Sequence, residues 1–349
     1  MSSPSNIPLQ KYPFVLDNSV LQRCYESLVR WFPTISYQRR YAITLFFKNM
    51  IRHMFANNTH VTKFIQDNVY KLDKLLNNHV NTDMYIFGII LFFSGNLVSL
   101  YINGDIKNEE RIINIVLLYI LVDNILDEND PSETKPFIKT IRKVLDNDVD
   151  NVCNNRPLDD NLITLHPSIR YYRNMVNGEK NAIIATKELF ESEVMSVSIQ
   201  TNQHLTREQY MHICCDKGTK TGILLYHIIT DKYNEEDRNA IGHVGYCCQL
   251  IDDIMDCHQD IGNNINTIAT YDYKREGHLD RLFCETVLEL DNIPCRYNLL
   301  RYAFMLVLLY EISKHRLLSQ SLRRKIDPHI YMNYIFGVDP FEEAGKAIM

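Results

Sequence analysis

Three aspartates recur at intervals of four residues in the segment GYCCQLIDDIMDCHQDIGNN, residues 245–264. Side chains four residues apart share one face of a helix, so Asp252, Asp256 and Asp260 predict a stripe of three carboxylates, with Asp253 beside it. A solvated acidic face usually alternates with lysines, and no lysine lies among these aspartates. We interpret the stripe as oxygen ligands for a divalent cation such as Mg²⁺; a plain solvated face is the alternative.

A second pair of aspartates ends an apolar segment, IINIVLLYILVDNILDEND, residues 112–130. Asp123 and Asp127 share a helical face, and two carboxylates at the end of a buried helix are costly unless a cation compensates them. The alternative is that the helix emerges into solvent there. Tyr119 stands one turn before Asp123, so we expect its ring to point into a cavity beneath the metal ions.

The two clusters together predict metal sites that face each other across a bound diphosphate. Metal ions placed there would stabilise the negative charge that develops on a leaving diphosphate group.

The second cluster resembles the second aspartate-rich motif of the trans-prenyl diphosphate synthases, which belong to the class I isoprenoid synthase superfamily. That motif has the form Q-x-x-D-D-x-x-D-x-x-x-D, and the segment QLIDDIMDCHQD matches it at Gln249, Asp252, Asp253, Asp256 and Asp260. The resemblance implies a single all-α domain, a bundle of about 10–13 helices around a central cavity. It also implies Mg²⁺ held by Asp123, Asp127, Asp252, Asp256 and Asp260, and a possible homodimer.

Two further elements resemble diphosphate contacts of the same superfamily. The segment YMHICCDKGTKTGILL, residues 210–225, contains the Lys-Thr-Gly step of a helix that contacts diphosphate in the family. The resemblance implies that Lys217, Lys220 and Thr221 bind the substrate; solvated helix lysines are the alternative. Terpene cyclases often carry an Arg-Tyr pair near the carboxyl terminus, which Arg301-Tyr302 resembles; Arg296-Tyr297 is an equally placed alternative.

Departures from the family pattern bear on the reaction. Asn124 replaces an aspartate of the first motif, which implies weak Mg²⁺ dependence, and the arginines that hold isopentenyl diphosphate have no counterpart. The resemblance therefore implies a terpene synthase that ionises geranyl, farnesyl or geranylgeranyl diphosphate with loss of diphosphate. The alternatives are a trans-prenyl diphosphate synthase that adds isopentenyl diphosphate, and a catalytically silent partner subunit.

Glycine and proline are scarce, and long windows follow the helical period without sustained period-two alternation. We predict an arm at residues 1–16 and one all-α domain at 17–349. Asn103-Gly104 and Asn177-Gly178 read as turn or cap dipeptides, and Pro131 should stop the helix before it. The periodicity predicts helices at 17–31, 37–56, 60–79, 82–103, 108–128, 134–146, 168–202, 206–231, 235–262, 276–291, 294–317 and 319–325, with a polar connection at 147–167.

The net charge, one long apolar segment and the cysteines indicate which partners and which location to expect. A net charge of −6 gives no sign of binding to nucleic acid or to acidic membranes, since both require a basic surface. Residues 84–102 are long enough to cross a bilayer, but polar interruptions favour a buried core helix over membrane insertion. The nine cysteines fit no zinc or disulfide spacing, and the chain opens without a secretory signal, so the expected location is cytoplasmic.

Overall fold

The computed structural model describes residues 18–31, 95, 98–99, 102–104, 108–127, 131–200, 205–230 and 232–326. The described residues form helices and no strand, which confirms the all-α prediction for this part of the chain. The predicted arm, the helices at 37–56 and 60–79, and most of the helix at 82–103 lie outside it. Among the described helices, none combines the length and the apolar character needed to cross a bilayer.

Twelve α-helices have bounds within the described ranges. They are α1 Asn18–Trp31, α2 Glu109–Asp127, α3 Pro131–Cys153, α4 Pro167–Val176, α5 Lys180–Gln200, α6 Arg207–Ile229, α7 Glu235–Met255, α8 Cys257–Asn263, α9 Ile268–Glu276, α10 Asp280–Asn292, α11 Asn298–His315 and α12 Gln320–Ile326. Short 3₁₀ helices span Asp160–Leu165 and Cys295–Tyr297.

Two predicted helices are each divided in the structure. The helix predicted at 168–202 is divided by Asn177 and Gly178, whose φ angles of 49° and 76° lie in the left-handed region and cap α4. The helix predicted at 235–262 is divided at Asp256, which ends α7 and precedes α8. At Asn177-Gly178 the local cap geometry overrides a continuous helical pattern, whereas at Asp256, with φ −86° and ψ −3°, the interruption is slight.

Other boundaries shift for identifiable reasons. Helix α3 runs from Pro131 to Cys153, so the predicted connection begins later than residue 147. Pro131 opens this helix, because proline is well suited to the first helical turn, where its missing N–H is not needed. Helix α9 was not predicted; a capping box of Thr267 and Thr270 starts it, and Gly277 at φ 71° ends it.

Glycines allow α6 and α7 to pack backbone against backbone. A Cβ atom added to Gly218 would lie 2.7 Å from the Gly245 carbonyl oxygen, and one added to Gly222 would lie 2.9 Å from the Gly242 Cα. Real Cβ atoms essentially never approach backbone so closely. The small side chains thus set the distance between the two helices that carry most of the predicted site residues.

A buried ionic cluster fastens α9 and α10 to the start of α6. The Arg207 guanidinium donates to both Asp272 carboxylate oxygens at 2.8 Å and to Glu285 Oε1 at 3.0 Å. All three residues are buried. Burial raises the pKa of the Glu285 carboxyl, and the neighbouring Arg207 opposes that rise. The cluster fixes α9, whose amino-terminal end lines part of the candidate site.

Candidate functional site

One glutamine connects the two adjacent aspartates of the second cluster. The Gln249 amide Nε2 donates to Asp252 Oδ2 at 3.1 Å and to Asp253 Oδ1 at 3.0 Å. Gln249 lies one helical turn before both aspartates on α7, so its amide bridges them from the preceding turn. Gln249, Asp252 and Asp253, three of the five matched motif residues, therefore form one hydrogen-bonded group in the fold.

Asp253 differs from its neighbours in burial. Its carboxyl is buried, and that burial, together with the charge of Asp252, raises its pKa to about 7. Hydrogen bonds from Gln249 and Cys214 and the charge of Lys217 act in the opposite direction. Burial therefore favours the protonated form of this carboxyl, and its hydrogen bond with Gln249 links it to Asp252.

The predicted carboxylate stripe passes through the junction of α7 and α8. The Asp256 N–H donates to the Asp252 carbonyl at 3.0 Å, and the Asp260 N–H donates to the Asp256 carbonyl at 2.8 Å. These bonds keep the helical spacing across the junction although the helix itself is divided. Asp256 is exposed, whereas Asp252 and Asp260 are half-buried.

The Lys217 ammonium lies between α5 and α2. Its Nζ atom is 3.0 Å from Glu193 Oε2, and it lies 5.9 Å from the centre of the Tyr119 ring. The side chains of Lys217 and Glu193 are 12% and 9% exposed, so this ion pair is largely removed from water. Nothing in the local sequence pattern of α5 distinguishes Glu193, and its pairing with Lys217 emerges only in the fold.

Lys220 and Thr221 also have partners within the protein. Lys220 Nζ lies 2.7 Å from Asp216, whose carboxylate in turn accepts a hydrogen bond from Ser192. The Thr221 hydroxyl donates to the Lys217 carbonyl one turn earlier, at 3.0 Å. In this structure both lysines are therefore neutralised by carboxylates.

A small polar cavity of about 40 Å³ lies between α5, α6, α7 and the start of α9. Lys217, Gln249 and Asp253 line it together with Asn266 and Ser196. The Ser196 hydroxyl is buried and has no hydrogen-bond partner among the described residues. A cavity of this size and polarity accommodates water but not a diphosphate, so a substrate would have to open it.

An apolar cavity of about 70 Å³ adjoins Tyr119 and Glu193, the two groups that Lys217 contacts. Its lining comes from α2, α3, α4, α5 and α6 and includes Tyr119 of α2, Tyr172 of α4, Glu193 of α5 and Leu224 of α6. For scale, a dry cavity of about 150 Å³ binds benzene. This cavity therefore accepts at most a small apolar group without rearrangement, and a large central cavity stays a prediction.

Arg301 contacts Asp291 and the Ile293 carbonyl, away from the predicted carboxylate stripe of α7 and α8. It is buried on α11, where it donates to Asp291 Oδ1 at 3.3 Å and to the Ile293 carbonyl. Asp291 also accepts hydrogen bonds from Ser27 and Arg30, so the group joins α1, α10 and α11. The alternative arginine of the sequence comparison, Arg296, pairs with Glu236 and Asp237 at the start of α7.

Four predicted positions are described only in their backbone. Asp123, Asn124 and Asp127 lie in the last turns of α2, and Tyr302 lies in α11; their side chains fall outside the described part of the structure. Within that part, no three histidine, cysteine, aspartate or glutamate side chains gather to hold a metal ion. A metal site shared with Asp123 and Asp127 therefore stays a prediction.

Comparisons with protein-family models, with curated proteins and with solved structures find no match to this chain.

Proposed function

We propose that this protein is a class I terpene synthase that ionises a linear prenyl diphosphate with loss of diphosphate. The observation that supports the proposal best is the position of Lys217. It lines the polar cavity with Gln249 and Asp253, and it also contacts Tyr119 and Glu193, which line the apolar cavity. A cation at the boundary of a polar and an apolar space suits an amphipathic substrate with an anionic head and a hydrocarbon chain.

The polar side of the site would bind the diphosphate. Lys217 and Lys220 would turn from Glu193 and Asp216 towards the substrate, whose oxygens offer stronger charge-assisted hydrogen bonds. The Thr221 hydroxyl is one turn from Lys217 and supplies a further donor. Arg301 and Tyr302 stay predicted contacts, and for Arg301 binding would require it to leave the Asp291 group.

The acidic residues fit Mg²⁺ in their chemistry, because carboxylate oxygens are the ligands that this ion prefers. Asp123, Asp127, Asp252, Asp256 and Asp260 would hold it. When bound, Mg²⁺ offsets the negative charge that a departing diphosphate acquires. Asp253 takes a different part: being buried and bound to Gln249, it orients the amide that also holds Asp252.

The apolar cavity would shield the allylic cation from water. Its lining is almost entirely hydrocarbon, and the Tyr119 ring offers a π face to a cation. The Tyr119 ring already lies within 5.9 Å of the Lys217 ammonium, at the position where head and chain of a substrate would join. A prenyl chain would have to displace side chains to enter a space of about 70 Å³.

A catalytically silent partner subunit is the second candidate. It is favoured by the ion pairs of Lys217 with Glu193 and of Lys220 with Asp216, which leave the predicted diphosphate site without a free lysine among these two. A chain-elongating prenyl diphosphate synthase is the third candidate, distinguished by its second substrate.

The deciding experiment incubates the purified protein with geranyl, farnesyl or geranylgeranyl diphosphate and Mg²⁺, each with and without isopentenyl diphosphate. Products are identified by mass spectrometry. Terpenes formed without isopentenyl diphosphate are the expected result. Longer diphosphates formed only in its presence would establish a chain-elongating synthase, and the lack of any product from the folded protein would favour the silent subunit.

A further inference from the structure

The outer face of α3 carries lysines that have no partner among the described residues. Lys135, Lys139 and Lys143 follow one another at intervals of four residues, and Arg142 lies three residues after Lys139. The four side chains therefore share one face of the helix, and all four are exposed. Arg142 donates to both carboxylate oxygens of Glu191 on α5, at 2.8 and 2.6 Å. The three lysines make no hydrogen bond or ion pair with any residue in the described ranges.

An apolar strip runs beside these cations. Helix α3 packs antiparallel to α5, because Arg142 pairs with Glu191 while Asp146, further along α3, pairs with Lys187, earlier on α5. The half-buried side chains of Ile138 on α3 and Val194 on α5 line an open groove of about 590 Å³ between the two helices. We call this groove and its cations the α3–α5 basic groove.

Met195 extends the apolar part of the α3–α5 basic groove to the surface. It follows Val194 directly and lies one helical turn beyond Glu191, the partner of Arg142. Its side chain is 48% exposed, one of the few large apolar side chains in the described residues that are exposed to this degree. Met195 therefore adds an exposed apolar side chain next to the part of α5 that lines the groove.

We infer that the α3–α5 basic groove docks onto a membrane surface that contains anionic lipids. Lysines at such a surface keep their ammonium groups among the lipid phosphates while their stems and nearby apolar side chains enter the boundary of the acyl region. The groove offers both parts in one place: three lysines without a partner among the described residues, and Ile138 and Val194 in its lining, with the exposed Met195 next to Val194 on α5. The contact lies on the surface and spans no bilayer.

Nucleic acid fits this surface less well. The four cations extend over about 12 Å of helix, a compact spot rather than a track along a phosphate backbone. Exposed methionine has no role in phosphate contacts, whereas it suits the boundary of a lipid layer.

The inference stands on the surface of α3 and α5 and does not depend on the proposed activity. Three lysines and one methionine give reversible attachment, because a single weak anchor does not hold a protein permanently on a membrane. The attachment should weaken as salt rises, since the screening length shortens from about 10 Å at 0.1 M to about 3 Å at 1 M.

Sedimentation with vesicles tests the inference directly. The full-length protein is mixed at about 0.1 M salt with vesicles of phosphatidylcholine, either pure or containing about one third phosphatidylserine. We expect cosedimentation with the anionic vesicles, little with the neutral ones, and release at about 1 M salt. The triple variant Lys135→Glu, Lys139→Glu, Lys143→Glu should bind the anionic vesicles at least about tenfold more weakly.

A matched control keeps the total charge change equal. The triple variant Lys232→Glu, Arg324→Glu, Lys325→Glu also reverses three exposed cations, but none of them lies on α3 or α5, and it should bind as the wild type does. Met195→Gln keeps the charge and a good helix former, and should weaken binding about threefold by removing the apolar contact. Circular dichroism and elution volume verify that each variant is folded.

Several results would overturn the inference. They are equal binding to neutral and anionic vesicles, no binding to the anionic vesicles at about 0.1 M salt, equal losses in the two triple variants, and no loss in the α3 variant. Tighter binding to a short RNA than to the anionic vesicles would assign the groove to nucleic acid instead.

Discussion

The Lys217 ammonium lies 3.0 Å from Glu193 Oε2 and 5.9 Å from the centre of the Tyr119 ring. Lys217 thus lines the polar cavity with Gln249 and Asp253, and its contacts Tyr119 and Glu193 line the apolar cavity. The ion pair stabilises the protein as it stands, and the proposed substrate would replace Glu193 as the partner of the lysine. The structural and the functional part of this contact can be separated by mutation.

The two parts are separated by a pair of variants. Lys217→Met leaves the buried Glu193 carboxylate without its cation, so we expect it to lower the free energy of unfolding by about 3 kcal/mol. The double variant Lys217→Met, Glu193→Gln should recover most of that loss, because no uncompensated charge is left. Turnover of the prenyl diphosphate should stay at least about 100-fold below wild type in both.

Denaturant unfolding and a product assay on the same samples measure both effects. Lys220→Met is the control for stability, because its partly exposed pair with Asp216 should contribute less than about 1 kcal/mol. Wild-type turnover by the double variant would mean that Lys217 has a structural role alone.

The contact between α6 and α7 is predicted to tolerate no side chain at its centre. Gly222→Ala would place a Cβ atom 2.9 Å from the Gly242 Cα and should destabilise the protein by about 1–3 kcal/mol through a shift of the helices. Gly262→Ala on α8 is the matched control, since a Cβ atom there meets nothing within 4 Å and alanine favours a helix. Thermal unfolding measures both, and an equal effect of the two substitutions would contradict the close packing.

The buried arginine cluster gives a second prediction on stability. Arg207→Leu leaves Asp272 and Glu285 buried without their cation, and should cost about 3–5 kcal/mol. Arg142→Leu removes an exposed bidentate pair with Glu191 and should cost about 1 kcal/mol or less. Unfolding of both variants by urea measures the difference. Similar losses in the free energy of unfolding would show that burial does not make the Arg207 ion pairs more important for stability than an exposed pair.

The titration of Asp253 makes stability depend on pH. Its pKa is raised from 3.8 in a model peptide to about 7 by burial first and by the charge of Asp252 second. A carboxyl whose folded pKa exceeds its unfolded pKa contributes stability that is complete below the unfolded value and is lost as pH rises through the folded value. The loss therefore falls between about pH 4 and pH 7 and amounts to roughly 4 kcal/mol at most.

Asp253→Asn removes this loss, because an amide does not ionise. Relative to wild type, the variant should be more stable at pH 8 than at pH 5 by roughly 2–3 kcal/mol. Unfolding free energies at the two pH values test this. A pH-independent difference for Asp253→Asn would mean that this carboxyl is ionised throughout.

Sequence periodicity predicted the bounds of α1 and α6 to within about two residues. The helix at 17–31 corresponds to α1, and the one at 206–231 corresponds to α6, whose start is fixed by the capping box of Thr206 and Gln209. Asn177-Gly178 was identified as a turn or cap signal, yet the apolar pattern continues across it and predicted one helix instead of two. The left-handed φ angles of these two residues cap α4, so the local turn signal was a better guide here than the apolar pattern.

The candidate site was predictable only in part. The spacing within α7 placed Gln249 near Asp252 and Asp253, and the hydrogen bonds agree with that spacing. Glu193, the partner of Lys217, was not predictable, because the two residues lie on different helices and nothing local connects them. Buried arginines such as Arg301 look like exposed ones in a sequence, so its contact with Asp291 appears only in the fold.

The most direct test of the proposed function is the release of inorganic diphosphate from geranyl, farnesyl and geranylgeranyl diphosphate, with Mg²⁺ and without isopentenyl diphosphate. We predict release by the wild-type protein from at least one substrate, and a loss of about 100-fold or more in Asp252→Ala. Asp150→Asn, with its exposed carboxylate far along the chain from α7, should release diphosphate as the wild type does. No release from any of the three substrates by the folded wild type, or equal release by Asp252→Ala, would contradict the proposal.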